Sequence, residues 1–142
     1  MAYSTKIDIF NQVESEVLIQ LTDDENTGLV GEAVVTRAIA DADATIDAYC
    51  QGRYTIPLFP VPEKIRQVSV DIAIYNLYSR RMDTMPEVRS ERHKEAIRFL
   101  EKVSDGKIFI GADSPAPTNT SDRADITTDN ERIFTRNKMS GF

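Results

Sequence analysis

Three prolines fall within six residues, Pro57, Pro60 and Pro62, in the stretch Tyr49-Cys50-Gln51-Gly52-Arg53-Tyr54-Thr55-Ile56-Pro57-Leu58-Phe59-Pro60-Val61-Pro62. Proline fixes φ, has no amide donor, and pushes the residue before it out of the helical region. No helix can pass through this stretch, so the chain must be two helical blocks with a stiff joint between them. Residues 55–61 are expected to be extended, close to polyproline II. Tyr54, Ile56, Leu58 and Phe59 make the joint apolar. It reads as a strap lying across a helical core, with Arg53 pointing inward or at a partner.

Helical periodicity fills both sides. Thr5-Lys6-Ile7-Asp8 has the form of a capping box, followed by Ile7, Phe10 and Val13 on one face. Residues 16–21 form a second short helical turn with Val17, Leu18 and Leu21 inward. Residues 22–31 hold acids and glycines and read as a loop. The first long helix spans 32–51 with Val35, Ala38, Ile39, Ala42, Ile46 and Tyr49 on its apolar stripe. Gly52 stands where a left-handed residue would end it. Asp41, Asp43 and Asp47 fall off that stripe.

The second long helix, 62–81, starts on Pro62, which suits a first helical position. Ile65, Val68, Val70, Ile72, Ala73, Ile74, Tyr75, Leu77 and Tyr78 cover nearly its whole circumference, the mark of a buried central helix. Asp71 lies among them and needs a partner. Thr84-Met85-Pro86-Glu87 reads as a second capping box opening the last helix, which runs to about residue 105. Val88, Ala96, Phe99, Leu100 and Val103 make its apolar face, and Gly106 stops it. Residues 107–111 are compatible with a short strand.

The fold expected is therefore all-α: a small bundle of three long helices with short N-terminal helices, covering residues 1–111. Residues 112–142 are rich in Ser, Thr, Asn, Asp and Pro, too polar to order themselves alone. They end in Ile133, Phe134, Met139 and Phe142, apolar anchors with Arg132, Arg136 and Lys138 among them. This segment is expected to be an extended arm that docks elsewhere.

Bulk properties bound the function. The chain has 142 residues, 41% of them apolar, enough for one domain with a modest core. No apolar run is long enough to cross a membrane, and the first residues lack the features of a signal peptide. The lone Cys50 excludes an internal disulfide and fits a reducing compartment. A net charge of −6 argues against a general nucleic-acid binder. That charge is uneven: residues 1–61 carry net −7, residues 62–110 net +2 and residues 111–142 net −1.

Candidates for chemistry are few. His93 reads as a boundary histidine, and Cys50 as a small buried hydrophobe. Asp43 and Asp47, one turn apart, could share a cation, but no histidine or second carboxylate helix is placed to complete a site. Arg80 and Arg81 could touch DNA, although cations at a helix C-terminus are favourable anyway. There is no phosphate-cradling loop and no nucleophile–base pair. No catalytic residue, metal ligand or cofactor site is expected.

Taken together, Ala38-Ile39-Ala40-Asp41-Ala42-Asp43-Ala44-Thr45-Ile46-Asp47-Ala48-Tyr49, Arg53-Tyr54-Thr55-Ile56-Pro57-Leu58 with Pro62, and Asp71-Ile72-Ala73-Ile74-Tyr75-Asn76-Leu77-Tyr78 resemble the Mu-like prophage head–tail adaptor family. Ala2-Tyr3-Ser4-Thr5, Arg132-Ile133-Phe134 and Gly141-Phe142 extend the resemblance to nearly the whole chain. Each is a packing motif; their order and spacing carry the likeness. It implies a non-enzymatic, all-helical subunit of the virion neck, assembled in the host cytoplasm. Such a subunit would form a head-to-tail ring, a dodecamer, around passing double-stranded DNA without reading its sequence. Its partners would be itself, the portal protein and a tail-completion or stopper protein.

Two other classes stay open from the residues: a small helical adaptor or regulator of a cellular partner, and an accessory to a metal-dependent nuclease working through Asp43 and Asp47. Within a ring, Asp41, Asp43 and Asp47 are expected to face cations such as Arg98 and Lys102 of the next subunit. Inside the subunit, Arg53 is expected to pair with Asp71, with Arg89 and Arg92 as rivals.

Overall fold

A computed structural model describes residues 1–81 and 85–112. The arm anchors Ile133, Phe134, Met139 and Phe142 lie outside the described residues, as does Thr84. Five helices follow in order: α1 (Lys6–Phe10), α2 (Ser15–Thr22), α3 (Glu32–Cys50), α4 (Glu63–Arg81) and α5 (Glu87–Ser104). The three long helices pack on one another with α4 in the middle, and α1 and α2 close over its side. Among the described residues the structure is helical with no strand, so residues 107–111 are bends and irregular chain rather than the expected strand.

α4 is rich in β-branched residues, which are mediocre helix formers by some tenths of a kcal/mol each. Packing overrides that preference. Ile65, Val68, Val70, Ile72, Ile74 and Leu77 are all essentially buried. Each such burial is worth about 1.5–3 kcal/mol, far more than the propensity lost. The helix begins one residue after Pro62, whose carbonyl accepts from the Arg66 amide at 3.1 Å.

The first capping box forms as expected: the Thr5 hydroxyl and the Asp8 carboxylate satisfy each other's backbone amides. The face of α1 does not follow. Ile7 is 67% exposed and Phe10 points largely to solvent, while Ile9 and Val13 are buried. One turn and a half of helix is too short for a stripe; the inward side is set by the bend into α2. α5 starts without a side-chain cap, at Pro86, and Val88 is exposed rather than on the apolar face.

Helix ends use glycine differently from the sequence reading. α3 does not end on a left-handed Gly52. The Cys50 carbonyl instead accepts from the amides of Arg53 and Tyr54, carrying the turn onward. Gly106 is the left-handed residue, with φ +76. Its amide reaches the Val103 carbonyl at 3.0 Å and Lys107 reaches the Lys102 carbonyl at 2.9 Å, the paired closure of a Schellman cap. A Cβ at position 106 would also land on the guanidinium of Arg53. Arg53 thus sits on the negative end of α5.

The proline joint passes through bends, with cis bonds before Pro57 and Pro60, in place of one straight run. Tyr54 and Leu58 enter the core, while Ile56 and Phe59 face out.

Candidate interaction surface

The most constrained polar cluster lies where the first four residues cross α3 and α4. Tyr3 is 2% exposed and Ser4 equally buried. The Tyr3 amide donates to Asp43 at 3.2 Å, and its hydroxyl donates to Asp47 while accepting from the Leu58 amide at 3.0 Å. One phenol therefore ties the N-terminal segment, α3 and the proline joint together. Ser69 on α4 donates to Asp43 at 3.0 Å and shares a 2.8 Å hydrogen bond with Ser4.

Asp43 is 8% exposed, which corrects its placement on a solvated face. Burial pushes its carboxyl above the usual carboxylate range, and the bonds from Ser69 and Tyr3 pull it part of the way back. Both oxygens are engaged internally, so Asp43 is available neither to a neighbour nor to a shared cation with Asp47. Desolvation, then Asp47, drives the Tyr3 hydroxyl far above the ordinary tyrosine range. It remains a donor at any ordinary pH.

Sequence reading missed Tyr3, Ser4 and Ser69. The signal was a serine within the apolar middle of α4, which, once buried, must find a partner.

Beside this cluster runs an open groove of about 560 Å³. Ile39, Ala40, Ala44, Asp43 and Asp47 form its α3 wall, with Met1, Ser4 and Lys6 opposite. Lys6 is held at the rim by Glu32, 2.8 Å away.

Asp71 does not pair with Arg53. It faces α5, 3.8 Å from Arg92, one of the two rivals. Its Oδ1 is buried and accepts no hydrogen bond among the described residues. Desolvation raises its pKa, and the attraction of Arg92, Arg89 and Lys64 only partly opposes this. Arg89 donates to the Gln12 carbonyl at 2.7 Å, joining α5 to the α1–α2 corner.

The candidate DNA arginines are occupied within the fold. Arg80 donates to the Leu21 carbonyl and pairs with Asp24. Arg81 donates to the carbonyls of Gln20 and Asp23 at 2.9 Å and also reaches Asp24. Both neutralise the C-terminus of α2. Cys50 is fully buried, with its thiol pushed up to about 11 by desolvation. His93 stacks on Tyr75 at 3.8 Å, and burial lowers its pKa.

Asp41, Arg98 and Lys102 are exposed, and Asp47 is half-buried. Exposed large apolar groups include Met1 at 74%, Phe109 at 73%, Leu29 at 70%, Phe59 and Ile7 at 67% and Val88 at 64%. Among the described residues no cluster of three or more potential ligands could hold a metal ion. None of the described helices is long and apolar enough to cross a membrane.

Comparison with known proteins gives these surfaces a context. A family model described as Bacteriophage Mu, Gp36 matches residues 3–128. The chain is 31% identical over 140 residues to the Mu-like prophage FluMu protein gp36 of Haemophilus influenzae, covering 99% of this chain and 97% of that protein. It is also 31% identical over 118 residues to Gene product J of Escherichia phage Mu, covering 81% of this chain and 79% of that one. A match that begins at the buried Tyr3 and runs through all five helices places the chain in the bacteriophage Mu Gp36 family.

Proposed function

We propose that this phage protein is a structural, non-enzymatic subunit of the head–tail connector. It forms a ring between portal and tail in the virion neck, around the passing DNA. Membership of the Mu Gp36 family carries the reading, together with the resemblance to head–tail adaptors. The surface supports it: a small body that leaves Phe59 and Phe109 about two thirds or more exposed presents apolar area suited to protein contacts. A closed ring uses two different faces of each subunit, so these groups need not meet their own copies.

In this role the portal and a tail-completion or stopper protein are the partners, and DNA passes without base contacts. Native mass spectrometry of the full chain, alone and with portal, tests the proposal. A closed ring of one size, formed alone or on portal, is the expected result. A monomer or dimer indifferent to portal would refute it and favour a small adaptor of a cellular partner.

A further inference from the structure

We infer that the groove between the N-terminal segment and α3 receives residues 132–142 of a neighbouring copy of this chain. The inference rests on the ring reading and names the contact that would close the ring.

The groove is about 560 Å³, within the range that holds several side chains. Its α3 wall is low, because Ala40 and Ala44 are small and exposed; Ile39 gives it an apolar base. Its walls are fixed in advance, since Tyr3 and Ser4 are locked by Asp43, Ser69, Asp47 and the Leu58 amide. A preformed wall spares the ordering that binding otherwise costs. The acid on this wall with an oxygen to spare is Asp47, whose hydrogen bond from Tyr3 uses Oδ1 alone.

The occupant has the opposite character. Residues 132–142 contain Arg132, Arg136 and Lys138 and no acid, and they alternate these cations with Ile133, Phe134, Met139 and Phe142. An arginine or lysine meets Asp47 while an aromatic ring lies over Ala40 and Ala44. The nineteen residues 113–131 carry net −4 and would set acids against Asp47, so the basic end is the part that fits. They could span at most about 65 Å if fully extended, about twice the roughly 30 Å of a helix like α3. The end of one chain can therefore reach the groove of the next.

The test uses full-length chains. Chains carrying Ala44→Cys and chains carrying Phe134→Cys are mixed and oxidised, with Ala48→Cys in place of Ala44→Cys as the control. Position 48 is exposed on α3 but does not line the groove. A disulfide between the two chains, well above the control, is expected. In parallel, Ala44→Arg should weaken self-association about tenfold or more, a loss of about 1.4 kcal/mol, with the helical signal and melting unchanged, and Ala48→Arg should not.

Cross-linking equal to the control overturns the inference. So does a bond formed only inside chains that carry both substitutions, which would mean that the arm returns to its own subunit. If Ala44→Arg still gives a ring of one size that binds portal, this contact falls while the connector reading stands.

Discussion

Tyr3→Phe removes one oxygen and no shape, and the structure says what that oxygen does. The phenol is 2% exposed and bridges Asp47 and the Leu58 amide. Leu58 is itself fully buried, so its N–H would lose its partner where water cannot replace it. A buried, unsatisfied donor costs about 1–3 kcal/mol. Asp47 is half-buried and can take water instead, so its loss adds at most the ordinary net value of a hydrogen bond, about 1 kcal/mol. Phenylalanine is easier to bury than tyrosine, which offsets part of both. A destabilisation of about 2 kcal/mol follows.

For a body of this size, that corresponds to a fall of about 10 °C in Tm. Urea unfolding followed by circular dichroism, at one fixed protein concentration, reads it without interference from assembly. The midpoint should drop at an unchanged slope, and the Leu58 amide should exchange faster than its neighbours. A loss below about 0.5 kcal/mol, the scatter of ordinary surface substitutions, would refute the reasoning. Unchanged exchange at Leu58 would refute it too.

Asp71→Asn should be neutral or stabilising by up to about 1 kcal/mol at pH 7, because the Arg92 pair does not offset the carboxylate's burial. The folded pKa of Asp71 is raised, so acid stabilises the parent as pH falls through that value towards the unfolded one. The variant's advantage should therefore shrink between pH 7 and pH 4 in thermal melts; an advantage that grows would contradict this. Gly106→Ala should cost about 1–2 kcal/mol for the left-handed backbone alone and displace Arg53, whereas Gly52→Ala, with open space and no positive φ, should cost far less in the same melts. Arg81→Ala should speed amide exchange across residues 23–31 and leave non-specific DNA retention unchanged; the reverse pattern would return this arginine to DNA.

The helices were legible because their signals are local and redundant. The capping box at Thr5, the all-round apolar surface of α4 and the stop at Gly106 each follow from a few neighbouring residues. What failed was pairing at a distance. Arg53 is the cation at the start of the strap, which points to Asp71 as its partner, but the bends after α3 turn it onto the end of α5. A helical wheel puts Asp43 in solvent because it shows only the stripe that faces neighbouring helices. It cannot show a four-residue segment folded back over the edge of that stripe. Tyr3 and Ser69 had no local signature beyond being polar groups beside apolar ones.

Much of the acidic half spends its charge on neighbours within the subunit. Asp24 is held by Arg80 and Arg81, Glu32 by Lys6 and Asp8 by the first helical turn, while Asp43 is buried. Of the three α3 acids assigned to a neighbour, Asp41 is exposed and Asp47 offers a partial share. Opposite them, Arg98 and Lys102 are exposed on α5, where isolated ion pairs contribute about 0–1 kcal/mol and weaken with salt. Charge of that size orients an encounter more than it holds a ring. In the proposed ring the holding energy would have to come from apolar surface, and the exposed groups suited to supply it are Phe59, Phe109 and the walls of the α3 groove. For the proposed ring this predicts that electrostatics sets which faces meet, while a few anchored side chains set how long they stay together: raising the salt should slow assembly more than it speeds dissociation.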